Sequence, residues 1–98
     1  MQADTDVRNN PAESRYELAT EKGIAFSAYQ RRDDLVVFTH TIVPKALEGQ
    51  GIGTRLVAGA LADVRAQGLR IVSRCPFVSA YLQRHPEDRD LLAESSPA

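Results

Sequence analysis

Residues 44–68 read PKALEGQGIGTRLVAGALADVRAQG, with glycines at 49, 51 and 53 alternating directly ahead of a long apolar-periodic run. A turn needs one glycine or two, and each further one costs conformational entropy on folding. Three at alternate positions describe a backbone that a ligand must approach closely, with no β-carbon in the way. From Ile52 onward, Leu56, Val57, Ala60, Leu61 and Val64 recur at helical spacing, while Arg55, Asp63 and Arg65 fall largely elsewhere. Gly68 stands where a left-handed C-terminal cap belongs. The segment is a glycine loop opening a helix. The unpaired amides and the dipole of a helix start both favour an anion there.

Outward from the loop, the periodicity changes. LVVFTHTIV (35–43) is the richest β-branched run and predicts a nine-residue strand. Upstream, RYELA alternates Tyr16 and Leu18 against Arg15 and Glu17, and TEKG (20–23) is a hairpin turn. IAFSAYQ (24–30) puts Ile24, Phe26 and Ala28 on one face and Ser27 on the other, and RRDD (31–34) is a second turn. Short turns make these three strands an antiparallel meander. Downstream, LRIVSRC (69–75) is a short strand, parallel to LVVFTHTIV and reached by a right-handed crossover. CPFVSAYLQRH (75–85) is a second helix, opened by Pro76 and stopped by Pro86. The polar residues 1–13 predict a disordered tail, residues 14–92 a single α+β domain, and residues 93–98 a loose end.

A net charge of −1, with 43% hydrophobic and 26% charged residues, is that of an ordinary soluble domain without a basic field. No aromatic ladder accompanies a basic stripe, so nucleic acid is not an expected partner. RRDD and EDRD (87–90) read as solvated turns. Nothing approaches the roughly 18 apolar residues of a membrane span, and the N-terminus lacks the apolar core of a secretory signal. The single cysteine, Cys75, excludes an internal disulfide and fits a reducing cytoplasm. No spacing of His, Cys and carboxylates suggests a metal site.

Three ligand classes use a glycine loop at a helix start. A P-loop needs a lysine followed by Ser or Thr at its end, and GIGTR has neither in register. A dinucleotide fingerprint needs G-x-G-x-x-G at the first turn of a parallel unit; here the spacing is G-x-G-x-G after antiparallel strands. The third class is coenzyme A. VPKALEGQGIGTRLV resembles the pyrophosphate motif R/Q-x-x-G-x-G/A of the GNAT superfamily of acyl-CoA N-acetyltransferases, with Gly51 and Gly53 at the two glycine positions. Glu48 stands where that family has Arg or Gln. FTHT (38–41) and CPFVSAYLQRHPE (75–87) are similar to the small YjdJ-like branch, and the resemblance covers residues 14–92.

The resemblance implies a minimal GNAT fold in which an amine attacks the thioester of acetyl-CoA directly, with no metal. The strands on either side of the glycine-loop helix splay, and the pantetheine arm lies between them. Backbone groups near Ile42 and Val43 bond the arm. Amides of Gln50, Gly51, Ile52, Gly53, Thr54 and Arg55 hold the pyrophosphate, and Gly49 permits the bend. Tyr81 either protonates the leaving sulfur, as a tyrosine on that helix does in many relatives, or packs beside Phe77 one turn earlier.

The reaction also needs a base, because a free lysine titrates near about 10.4. It needs a donor for the oxyanion and a proton for the thiolate. His40 shares a strand face with Val36, Phe38 and Ile42 by alternation; it is either a base near the thioester or a hydrogen-bonded core residue. Cys75, before a helix, is a base, an atypical nucleophile or a small buried hydrophobe. Ala19 and Ile24 are one turn apart, so the extra helices that wall the acceptor site in larger relatives are absent. The expected activity is acetyl transfer to an amine: a small amine, a protein lysine or an N-terminus. The protein is expected in the cytoplasm as a monomer or weak dimer. The rivals are a non-catalytic acyl-CoA-binding module and an interaction domain with a vestigial loop.

Overall fold

The computed structural model describes residues 6–93. Five strands form one sheet in sequential order: β1 (Val7–Asn10), β2 (Arg15–Thr20), β3 (Gly23–Arg32), β4 (Leu35–Ile42) and β5 (Arg70–Ser73). Helix α1 (Ile52–Ala66) joins β4 to β5, and α2 (Pro76–Arg84) follows. Strands β1 to β4 pair antiparallel and β4 pairs with β5 in parallel, an α+β arrangement as the periodicities predict.

All five apolar residues of the α1 stripe are buried, in one core with Tyr16, Leu18, Tyr29, Val36 and Phe38 of the sheet. Tyr16, Tyr29 and Phe38 meet with centroids 5.5–6.3 Å apart in tilted and edge-on geometry. The Tyr16 hydroxyl donates to Asp63 Oδ2 of α1 at 2.7 Å. Burial, and then the neighbouring carboxylate, push the Tyr16 phenol up, so it remains a neutral donor. Gly68 (φ 72°) caps α1 as expected: its amide bonds Arg65 O and that of Leu69 bonds Val64 O, the two bonds of a Schellman motif.

The expected tail at 1–13 and the three-stranded meander need correction. Residues 1–5 and 94–98 lie outside the described residues, but Val7–Asn10 forms β1, giving a four-stranded meander. VRNN has no alternating apolar pattern; its pairing is held by tertiary partners. Val7 packs on the core, Asn9 accepts from the Tyr29 hydroxyl at 2.6 Å, and Asn10 donates to Glu17. Ala93, at the expected loose end, donates to Ile71 O. EDRD is more than a solvated turn, since Asp88 and Asp90 both bind Arg65 of α1.

Alternation also meets a discontinuity. Tyr29 opposes Phe38 while Ala28 opposes His40, so Thr39 is an extra residue, a β-bulge. One added residue moves everything beyond it to the other face. His40 and Ile42 therefore do not share a face with Val36 and Phe38. They lie on the outer face with Phe26, and Thr41 takes the inner face beside Ser27. Within β3, Ile24, Phe26 and Ala28 do share a face, but the core takes Ala25, Ser27 and Tyr29. The Tyr29 ring decides that parity, and the buried Ser27 hydroxyl is satisfied by Thr41 Oγ1 at 2.9 Å.

Candidate active site

The β4–β5 ladder ends at Phe38 and Ser73, with one further bond from the Arg74 amide to Phe38 O. Beyond it the strands part, for two local reasons. The bulge at Thr39 bends β4. On the other side, Pro76 has no amide hydrogen with which to continue a ladder, and instead starts α2.

The opening is a cleft of about 420 Å³. Its walls are Thr41 and Val43 at the end of β4, Leu47 and the loop from Glu48 to Thr54 apart from Gln50, and Phe77 and Arg84 of α2. A second hollow of similar size is lined by His40, Thr41, Cys75, Pro76 and Phe77. Thr41 and Phe77 line both, so the two hollows adjoin between the start of α1 and the end of the ladder.

The glycine loop leaves backbone groups open at the start of α1. Gly49 (φ 83°) and Gly51 (φ 77°) hold left-handed backbone that other residues rarely adopt, and β-carbons there would point into open space. The first α1 bond runs from the Arg55 amide to Gly51 O. Among the described residues, nothing accepts from the amides of Ile52, Gly53 and Thr54, and the first turn carries no acidic side chain. Gly53 serves a different purpose. Its missing side chain makes room for the Phe77 ring, whose Cζ would lie 2.5 Å from an added β-carbon.

Of the expected ligand-binding residues, Val43, Gly49, Gly51, Ile52, Gly53 and Thr54 line the cleft. Ile42 is exposed on the outer sheet face and lines neither hollow. The Gln50 side chain turns back to Ala46 O, and Arg55 faces Asp6 across the other flank of the loop. Glu48, Thr41, Phe77 and Arg84 line the cleft without having been singled out for it. The seven-residue spacing of Phe77 and Arg84 on one helix face was the available signal for the last two.

Two of the three candidate catalytic residues come together. Cys75 is buried at the start of α2, its Sγ 3.3 Å from Thr41 Oγ1, which is itself bonded to Ser27. His40 opens to solvent at the same hollow, edge-on to Phe26 and 3.3 Å from Thr39 Oγ1. Tyr81 is buried in the core and stacks on His85 at 4.0 Å, and it is not among the residues lining either hollow. Among the described residues, no group of three or more His, Cys, Asp or Glu could hold a metal ion, and no helix is long and apolar enough to cross a membrane.

A meander, a helix started by glycines and a parallel strand splayed from its neighbour define the GCN5-like acetyltransferase fold. The solution structure of a GCN5-like protein from Staphylococcus aureus shares it, with a TM-score of 0.67 at 21% identity over 98% of this chain and 97% of that one. The sequence profile described as GCN5-related N-acetyl-transferase matches residues 15–91, and the chain belongs to that family. No curated protein sequence matches it.

Proposed function

We propose that this protein is an acetyl-CoA-dependent N-acetyltransferase of the small YjdJ-like branch, moving an acetyl group to an amine by direct attack. The observation that carries the reading is the pair of adjoining hollows in the splay, one bordered by uncommitted helix amides and the other by Thr41, Cys75 and His40. Acetyl-CoA supplies the activated thioester and a diphosphate. The amides of Ile52, Gly53 and Thr54, with no partner of their own, suit that diphosphate. The solvent-open His40 imidazole accepts the proton that the incoming ammonium must lose. The Thr41 hydroxyl, between Ser27 and Cys75, and the Cys75 thiol provide a proton for the departing thiolate. Tyr81 keeps a packing role in this reading.

The acceptor reaches the cleft over the outer sheet face. There Ala19 pairs directly with Ile24 across the β2–β3 hairpin, and Ile24 and Ile42 are exposed. That open approach suits a bulky amine such as a protein lysine or N-terminus.

Thermal unfolding with acetyl-CoA, CoA, ATP and NAD added separately tests the first half. A ligand at about one hundred times its dissociation constant adds roughly 2.7 kcal/mol. In a domain of this size that raises the melting temperature by about ten degrees or more. The expected result is a shift with acetyl-CoA and CoA only; no shift with either sinks the reading. A shift with no acetyl transfer to any amine or peptide leaves a binding module.

For the second half, His40→Ala should lower the transfer rate by about 10²-fold or more. CoA binding should be unchanged, and the deficit should shrink as rising pH deprotonates the acceptor itself. An equal deficit at every pH would remove His40 from the role of base.

A further inference from the structure

Arg84 is a cation that the fold brings to the cleft without giving it a partner. It lies at the end of α2 and lines the same hollow as Gly49, Gly51 and Thr54. Among the described residues its guanidinium makes no hydrogen bond or ion pair, whereas Arg15, Arg55 and Arg65 each hold a carboxylate.

A basic residue in the last turn of a helix ordinarily serves the exposed carbonyls there. That position is already filled. Arg89 donates to Leu82 O and Gln83 O, and the His85 amide donates to Tyr81 O. The nearby Glu87 carboxylate faces His85 at 3.4 Å, so it does not engage Arg84. The loop contributes Glu48 to the same hollow, an acidic side chain beside the glycines.

We infer that Arg84 is the side-chain cation of this site, binding a phosphate of coenzyme A from the α2 wall and offsetting the charge of Glu48. The inference rests on the proposed coenzyme A reading. A guanidinium presents several donors in a planar fork matched to phosphate oxygens, and it stays charged across the working pH range. A helix-borne cation facing the amides of α1 clamps the anion from two directions.

The test is calorimetric titration of the wild type, Arg84→Gln, Arg84→Lys and Glu48→Gln with CoA and with 3′-dephospho-CoA, each at low and high salt. Arg84→Gln should weaken CoA about tenfold or more at low salt, as expected for a lost charge-assisted bond. The deficit should narrow at high salt, where the wild type loses the same screened attraction. Arg84→Lys should recover part of the affinity, and Glu48→Gln should tighten binding. If dephospho-CoA shows the same Arg84→Gln deficit, the contact is to the diphosphate; if the deficit vanishes, it is to the 3′-phosphate. Arg84→Gln binding CoA as the wild type does at low salt overturns the inference and leaves the coenzyme A reading standing. A wild type that binds neither compound overturns both. Arg84 is exposed, so melting of the unliganded variants should match the wild type and exclude a folding defect.

Discussion

Gly53→Ala is expected to lower CoA affinity by more than about a hundredfold, roughly 2.7 kcal/mol. The added β-carbon would lie 2.5, 3.0 and 3.2 Å from Cζ, Cε2 and Cε1 of Phe77, so the whole near edge of the ring must move. Phe77 is half-buried, packed on the core on one side and lining both hollows on the other. Core density resists movement inward. A ring displaced toward the hollows it lines would fill space beside the amides of α1. Stability should change less than binding. Overpacking costs about 1–3 kcal/mol, against a gain of about 1 kcal/mol from replacing a helical glycine with alanine. A net loss of about 1 kcal/mol lowers the melting temperature by roughly 4–8 °C. Adding Phe77→Leu, which removes the ring, should restore part of the affinity in a double-mutant cycle. Wild-type CoA binding by Gly53→Ala would separate Phe77 from the path of the ligand.

Phe38→Ala should cost about 3–5 kcal/mol, a large part of the roughly 5–15 kcal/mol that holds a small domain folded. The ring is 1% exposed and touches both Tyr16 and Tyr29, so its loss empties the centre of the aromatic cluster. Phe38 is also the last β4 residue in register with β5, and its carbonyl accepts the Arg74 amide just before the strands part. A melting temperature lower by at least roughly 12 °C, and a lower urea midpoint with an unchanged slope, are the expected readouts. A loss below about 1 kcal/mol would mean that the site can collapse around the missing ring.

Local signals account for much of the architecture. The α1 stripe, the glycines before it and Gly68 after it made one helix legible from start to stop, because propensity, periodicity and capping agree there. Pro76 marked the start of α2, and the β-branched run marked β4. The loop's conformation was legible because positive φ favours glycine at 49 and 51 whatever the rest of the chain does.

What stayed hidden depended on residues far apart in sequence. Nothing in VRNN announces β1, whose Asn9 is held by Tyr29 twenty residues away. The bulge at Thr39 leaves the composition of the strand unchanged, yet it reverses the direction of His40. The missing side chain of Gly53 looked like room for a ligand, and only the packing of α2 on α1 reveals that the Phe77 ring fills that space. Arg84 reads as a surface helix residue until the fold brings it to the hollow that the loop also lines.

By itself, the sequence determined the class of fold, the glycine cradle at the start of α1 and the family resemblance. The first two are written in local patterns of φ preference, side-chain period and capping, and the third in the motif residues around the loop and in FTHT and CPFVSAYLQRHPE. Tertiary structure alone decided which face His40 takes, that Thr41 meets Cys75, and which cation joins the cleft. Those outcomes follow from strand register and helix packing, in which one inserted residue redirects every side chain beyond it and no short stretch of chain contains both partners.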